Sequence, residues 1–456
     1  MQLHATYGSK DATGGGRMTP EEFAGAFAEI HPAFEPQAAA IEANRCLNCF
    51  DAPCTAACPT HIDVPRFIKK IASGNLRGSA LTILDANILG LSCSRVCPVD
   101  VLCEGACVMH RYNKRPIEIG RLQRRAMDAF YSAGADLAVP PGASAKSVAC
   151  IGAGPASLAC AAELRMQGIA ATVFEARPMA GGLNTYGVAE YKLRPPDSLR
   201  EVALVRSLGV AFRNGVSVGA DITLEALESG YDAIFVGIGL GPTESIGIPG
   251  EDLDGVVDAV RFIAEYKTGT PKIGNRVVVV GGGNTAIDAA VASRLLGAEQ
   301  VTIAYRRDEN AMPAFAFEYE HAKQQGIRFV WQALPTAIVA GKDGRAASLQ
   351  CLRTTPGQPD ASGRRHPEPI AGSEFTIACD TVVVALGQTK LFRLLEGRGI
   401  EFSAGCVRAN RATGQTANRK YFAAGDCVNG GGEVVDAVAD GKRAGRGIAE
   451  WLGQHG

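Results

Sequence analysis

Short apolar runs that stop on glycine recur along the later two thirds of the chain. Ser147-Val-Ala-Cys-Ile151 runs into Gly152, Arg276-Val-Val-Val-Val280 into Gly281, and Tyr421-Phe-Ala-Ala424 into Gly425. Such runs predict strands buried on both faces, and the longer stretches behind them predict the helices that cover a parallel sheet. Further strands are predicted at 171–174, 300–305 and 380–387, and a closing helix over 433–452. Earlier in the chain, Thr19-Pro20-Glu21-Glu22 has the form of a capped helix start. Helices are also predicted at 36–45 and 119–131. Residues 1–17 read as a glycine-rich polar arm, and Val139-Pro-Pro-Gly-Ala-Ser144 as a linker between domains.

The spacing of cysteines adds chemistry to this pattern. Eight of the 14 cysteines fall between Cys46 and Cys107 in two sets, each with a Cys-Pro step. The first is Cys46, Cys49, Cys54 and Cys58-Pro59; the second is Cys93, Cys97-Pro98, Cys103 and Cys107. Short spacings deliver several thiolates from little chain, as iron–sulfur ligation requires, and a cysteine before proline commonly serves the neighbouring cluster. The pattern predicts two [4Fe-4S] clusters with interleaved ligands. Zinc favours two separated Cys-x2-4-Cys pairs, and disulfides need an oxidising compartment. The N-terminal Met-Gln-Leu-His-Ala-Thr has no basic region followed by an apolar run, so the expectation is a cytoplasmic protein with reduced thiols.

The glycine-terminated strands carry the second chemistry. Gly152-Ala-Gly154-Pro155-Ala156-Ser157 follows a strand and opens a helix, and the next strand ends at Glu175. In that order, glycines admit a pyrophosphate at a helix N-terminus and the acid takes the ribose hydroxyls. Ser157 stands where a third glycine is usual, at a small cost in packing. A second copy, Gly281-Gly-Gly283-Asn284-Thr285-Ala286, has Arg306-Arg307 after its second strand instead of an acid. Arginines there suit a 2'-phosphate, which leans towards NADPH over NADH; the other reading is a solvated strand end. Gly425-Asp426 and the helix after it return the chain to a first, FAD-binding domain, so the nicotinamide domain is inserted in it.

The fold class expected is therefore α/β: a helical iron–sulfur domain over 1–138, an FAD domain over 145–272 and 388–456, and an NAD(P)H domain over 273–387. A length of 456 residues accommodates roughly three domains. A balance of 46 Lys and Arg against 47 Asp and Glu leaves no footprint for nucleic acid or anionic membrane. No apolar run reaches the ~18 residues of a spanning helix. The remaining cysteines, Cys150, Cys160, Cys351, Cys379, Cys406 and Cys427, contain no Cys-x-x-Cys pair, which argues against a disulfide reductase.

With these segments in place, the chain resembles the iron–sulfur and flavin half of dihydropyrimidine dehydrogenases and, more broadly, the small subunit of bacterial glutamate synthases. Cys46-Leu-Asn-Cys49-Phe-Asp-Ala-Pro-Cys54, Gly90-Leu-Ser-Cys93-Ser-Arg-Val-Cys97-Pro98 and Ile119-Gly-Arg-Leu-Gln123 carry the first likeness; Tyr305-Arg-Arg-Asp-Glu309 carries the second. The resemblance implies Cys46, Cys49, Cys54 and Cys107 for one cluster, and Cys58, Cys97, Cys103 and Gln123 for the other, with Cys93 a neighbour. It implies FAD contacts at Glu175, Leu183, Lys192 and Asp426, although Leu193-Arg194-Pro195-Pro196 departs from the usual pattern beside Lys192. The chain would then oxidise NAD(P)H at FAD and pass electrons through both clusters to an FMN-containing dihydropyrimidine dehydrogenase catalytic subunit that reduces uracil or thymine. No acid or base of this chain need touch the pyrimidine. The alternatives are a glutamate synthase small subunit and a general electron-delivery module serving ferredoxin.

Overall fold

The computed structural model describes residues 18–138, 144–269, 273–359 and 365–454; the expected arm over 1–17 and residues 139–143 of the expected linker lie outside them. Among the described residues, seven α-helices precede the first strand: α1 Pro20–Ala26, α2 Pro36–Asn44, α3 Pro53–Ala56, α4 Val64–Ala72, α5 Leu76–Ala86, α6 Gly90–Val96 and α7 Ile119–Ser132. Next come β1 Ser147–Ile151, α8 Pro155–Met166, β2 Ala170–Glu175, α9 Leu183–Tyr186, α10 Pro195–Ser207, β3 Ala211–Asn214, α11 Leu224–Gly230 and β4 Ala233–Val236. The middle of the chain forms β5 Val256–Asp258, α12 Ala259–Lys267, β6 Arg276–Val280, α13 Asn284–Leu295, β7 Gln300–Tyr305, α14 Ala316–Gln324 and β8 Arg328–Trp331. It continues through β9 Ala333–Ala340, β10 Ala346–Pro359, β11 Arg365–Pro369, β12 Phe375–Ala378 and β13 Thr381–Val384. The end adds β14 Phe402–Ser403, β15 Cys406–Val407, β16 Tyr421–Ala423, α15 Asp426–Asn429 and α16 Val434–Gln454.

The chain divides into two units. The larger, residues 29–185, 192–240 and 390–456, holds the thiol-rich helices and a parallel sheet of order β16-β4-β1-β2-β3. Helix α16 packs along α8 on one side of that sheet, and the chain is small where they meet. A Cβ on Gly441 would strike the Ala156 carbonyl, so only glycine allows this approach. The smaller unit, residues 1–28, 186–191 and 241–389, has a parallel sheet of order β5-β13-β6-β7-β8 and an antiparallel sheet of β9 to β12. Val277 to Val280 are all at most 3% exposed, as strands covered on both faces must be.

The predicted strands appear within a residue or two of their places, except that the one expected over 380–387 ends at Val384, but the domain edges differ. The inserted unit begins at Gly241 rather than 273, because β5 pairs in parallel with β13 and α12 follows it. Helix α1, expected with the iron–sulfur domain, belongs to the smaller unit: Phe27 stacks on Tyr266 at 5.3 Å and on Phe23 at 4.4 Å. Apolar side chains of a short amphipathic helix go to whichever core will bury them, and sequence order does not say which. Among the described residues no helix is long and apolar enough to cross a membrane.

Candidate electron-transfer site

Tight turns in the thiol-rich segment bring its cysteines round. Asn48 takes a left-handed backbone, φ 51°, and its side-chain nitrogen donates to the Cys46 carbonyl at 3.1 Å, folding Cys46 and Cys49 towards each other. Asparagine is among the few residues that accept this conformation readily. Pro53 opens α3, which presents Cys54, and Cys107 caps a 3-10 turn over 108–112. The result is a space of about 360 Å3, partly open to solvent, lined by Cys46, Cys49, Cys54 and Cys107 with Leu47, Val64, Ile68, Met109 and Ile119 among others. Burial pushes the Cys54 thiol up to about 11 and raises Cys46 as well.

A second thiol group lies beside the first. The Cys93 thiol, hydrogen-bonded to Cys97, together with burial, drives the Cys97 thiol well up, and Cys103 and Cys58 add to the effect. Burial raises Cys103 too, with Cys58 and Cys54 as thiol neighbours. Thus Cys54 and Cys58, four residues apart, contribute to adjoining groups. Gln123 is buried, and its carboxamide nitrogen donates to the Gly90 carbonyl at 2.8 Å, at the start of the helix that bears Cys93. Among the described residues no three His, Cys, Asp or Glu side chains converge tightly enough for a single metal ion. Four thiols around a void, in an apolar wall, instead offer the soft ligands that an iron–sulfur cluster takes.

The two helices that start on glycine have the form that a pyrophosphate requires. Helices α4, α11 and α12 have their first turns capped by Asp63, Thr223 and Asp258 side chains. Helices α8 and α13 begin after Gly154 and Gly283 with no side-chain cap, and nothing lies within 4 Å of where a Cβ on either glycine would sit. Uncapped amides facing open space at a helix N-terminus are an anion site. Gly152, at φ 86°, could not carry a Cβ without meeting the Gly237 carbonyl at 2.6 Å. Ser157 lies where the third glycine would, and the chain yields on the other side: a Cβ on Gly237 would collide with the Ser157 hydroxyl. Ala156 is buried under α16, and Pro155 is the first residue of α8.

Around this loop, Glu175 at the end of β2 accepts the Ala153 amide at 2.9 Å and the Arg177 amide at 2.8 Å, which fixes its carboxylate. Leu183 opens α9 just after Gly182, whose Cβ would stand 2.7 Å from Gly154 Cα. Burial raises Asp426; the Gly432 amide bonded to it at 3.1 Å lowers it, and Asp436 and Asp440 raise it. Lys192 interacts with Glu433, whose carboxyl burial also raises. Sequence reasoning missed a space of about 200 Å3 lined by Ile238, Gly239, Leu240, Lys390, Phe392 and Cys427 among others. Its residues come from three distant stretches, so no local pattern could have marked it.

In the smaller unit, Gly281 lies against the Ala385 carbonyl, and a Cβ on Gly282 would meet the Tyr305 ring at 2.6 Å. Asn284 accepts the Phe315 amide at 3.0 Å, Thr285 follows it in the first turn of α13, and Ala286 is fully buried. Arg306 is exposed at the end of β7, whereas Arg307 donates to the Arg365 carbonyl at 3.0 Å.

Residues 24–135 match the family described as dihydropyrimidine dehydrogenase domain II, 4Fe-4S cluster, and residues 146–441 match the pyridine nucleotide-disulphide oxidoreductases. The glutamate synthase [NADPH] small chain of Halomonas elongata is 38% identical over 460 residues, 96% of this chain and 97% of the relative. The NADPH-Fe(3+) oxidoreductase subunit beta of Geobacter sulfurreducens is 35% identical over 90% of this chain and 65% of the relative. Among solved structures, Mycobacterium tuberculosis FprA in complex with NADPH superposes with a TM-score of 0.57 at 20% identity, over 68% of this chain and 85% of that one, and shares the fold.

Proposed function

Since the chain belongs to the family of iron–sulfur flavoprotein NAD(P)H oxidoreductases that includes the glutamate synthase small chains, we propose that it is the electron-input subunit of a larger enzyme. It would oxidise NADPH and hand electrons to a separate acceptor protein. One observation carries this reading: a single compact unit contains both the uncapped helix of a dinucleotide fold and two adjoining groups of thiols. Bound FAD supplies the exchange between two-electron and one-electron transfer that a nicotinamide cannot make, and clusters carry single electrons.

The chain's own residues bind and orient. Gly152 and Gly154 clear the way to the first-turn amides of α8, and Glu175 is held ready for ribose hydroxyls. Gly281, Gly283 and Asn284 do the same at α13 for the nicotinamide nucleotide, and Arg306 and Arg307, which follow β7, would meet a 2'-phosphate. Cys46, Cys49, Cys54 and Cys107 would hold one cluster, and Cys58, Cys97 and Cys103 three corners of the other. Gln123 or Cys93 completes that set.

Of the acceptors considered on the sequence, the relatives favour the glutamate synthase large chain over a pyrimidine-reducing partner. Pyrimidine reduction is the second reading, supported by the buried Gln123 and by the description of the family matched at 24–135. Anaerobic pull-down of the tagged chain from its native cells, followed by NADPH and NADH oxidation with glutamine plus 2-oxoglutarate or with uracil, separates them. A glutaminase-type partner with glutamine-dependent oxidation supports the first. An FMN-containing partner with uracil-dependent oxidation supports the second, and no partner at all would undo the subunit reading.

A further inference from the structure

Helix α6 carries Cys93 and ends at Cys97, yet its own chain does not cap it. The residue at its N-cap is Leu89, which makes no side-chain capping bond. The first turn is served instead from over a hundred residues away, by Glu201 of α10. One carboxylate oxygen of Glu201 accepts the Leu91 amide at 2.8 Å and the Ser92 amide at 2.9 Å, and the other accepts the Ser92 hydroxyl. Glu201 is 1% exposed, and Leu91 and Ser92 are fully buried. A carboxylate with this many donors in a dry site makes strong, directional bonds.

Helix α10 has further polar anchors before Glu201. One turn earlier, Ser198 is 2.9 Å from the Thr185 hydroxyl, which donates to the Ala180 carbonyl at 2.8 Å. That loop contains Gly181 to Leu183 and lies over Gly154. Beside Ser198, Asp197 stands 3.6 Å from the buried Arg95 of α6, which also bonds Asp128 of α7 at 2.8 Å. One face of α10 therefore grips the pyrophosphate-loop end of the dinucleotide fold and another grips the cluster-bearing helix. Apolar packing could have buried these surfaces with less desolvation, but it would not have set their register.

We propose that Glu201 is a positioning residue for electron transfer, clamping α6 onto the dinucleotide fold of the same unit so that the second thiol group keeps a fixed distance from the flavin end. This rests on the electron-input reading above. The test uses the full chain, purified anaerobically with its cofactors, as Glu201→Ala, Glu201→Gln and the milder Ser92→Ala. Flavin bleaching by NADPH and cluster reduction are followed separately by stopped flow and freeze-quench EPR, with iron content and amide exchange over residues 90–96. For Glu201→Ala, flavin bleaching within twofold of the parent, unchanged iron, faster exchange at Leu91 and Ser92, and cluster reduction slowed at least about tenfold would support the clamp. Glu201→Gln should recover part of the rate, and Ser92→Ala should fall between. If exchange quickens while the cluster rate stays the same, Glu201 is only a structural cap and the proposal is overturned. If the Ala variant does not fold, the same two outcomes are read from Gln and Ser92→Ala. Clusters that stay oxidised in the parent chain while its flavin is reduced would instead sink the electron-input reading, and the clamp with it.

Discussion

Glu201 also shows how burial sets a titration. Burial pushes its carboxyl up to about 7, against the Ser92 and Leu91 donors and Arg95, which lower it; Tyr131 is a further neighbour. A carboxyl whose folded value lies above its unfolded value contributes stability at low pH. That contribution is complete below about 4.5 and is lost as pH rises through about 7, an effect of order 3 kcal/mol. Glu201→Gln should therefore flatten the fall in stability between pH 5 and pH 8, read by thermal melts of both proteins at each pH. The ligand set is a question at the same scale. If Gln123 completes the second cluster, Gln123→Ala lowers iron towards half while Cys93→Ala leaves it intact; the reverse result assigns Cys93. Spacing alone could mark eight cysteines as candidates, but not a glutamine, and not which of the eight converge.

At the scale of elements, the glycine-started helices separate binding from packing. Gly154→Ala meets no atom within 4 Å in the protein, so the fold should hold while FAD affinity falls at least tenfold, measured by flavin release on gel filtration. Gly441→Ala instead drives a Cβ into the Ala156 carbonyl and should lower stability by about 1–3 kcal/mol by urea unfolding. Strands and helices with a strong period were legible from the sequence: β1, β6, β7 and α16 all lie within a residue or two of their predicted places. Helices α6 and α10 were not. Each takes its meaning from the other, through Glu201 and Asp197, and such contacts leave no local pattern.

For the whole molecule, the prediction concerns nucleotide choice and electron exit. Arg306→Ala should raise the KM for NADPH at least about tenfold and leave that for NADH within twofold, because a 2'-phosphate exists only in NADPH. Equal losses with both nucleotides would assign the arginine to strand-end solvation. Cys49→Ala should abolish reduction of the acceptor protein while NADPH still bleaches the flavin; loss of both would make the thiol groups structural supports. The relatives share this body across differently named enzymes, a glutamate synthase and an iron reductase among them. Such a chain specifies how electrons enter more closely than where they go.

By itself, the sequence determined the α/β class, the two glycine loops and the two cysteine sets, because each depends on residues near one another along the chain. A strand, a glycine turn and a helix start occupy a dozen positions, and their chemistry is local. Only the tertiary structure decided that the inserted unit starts at Gly241 and that α1 packs on Tyr266. It also decided that a buried carboxylate from α10 caps the helix bearing Cys93. Burial and hydrogen bonding reward any partner that arrives with the right shape and charge, however far away in sequence it begins.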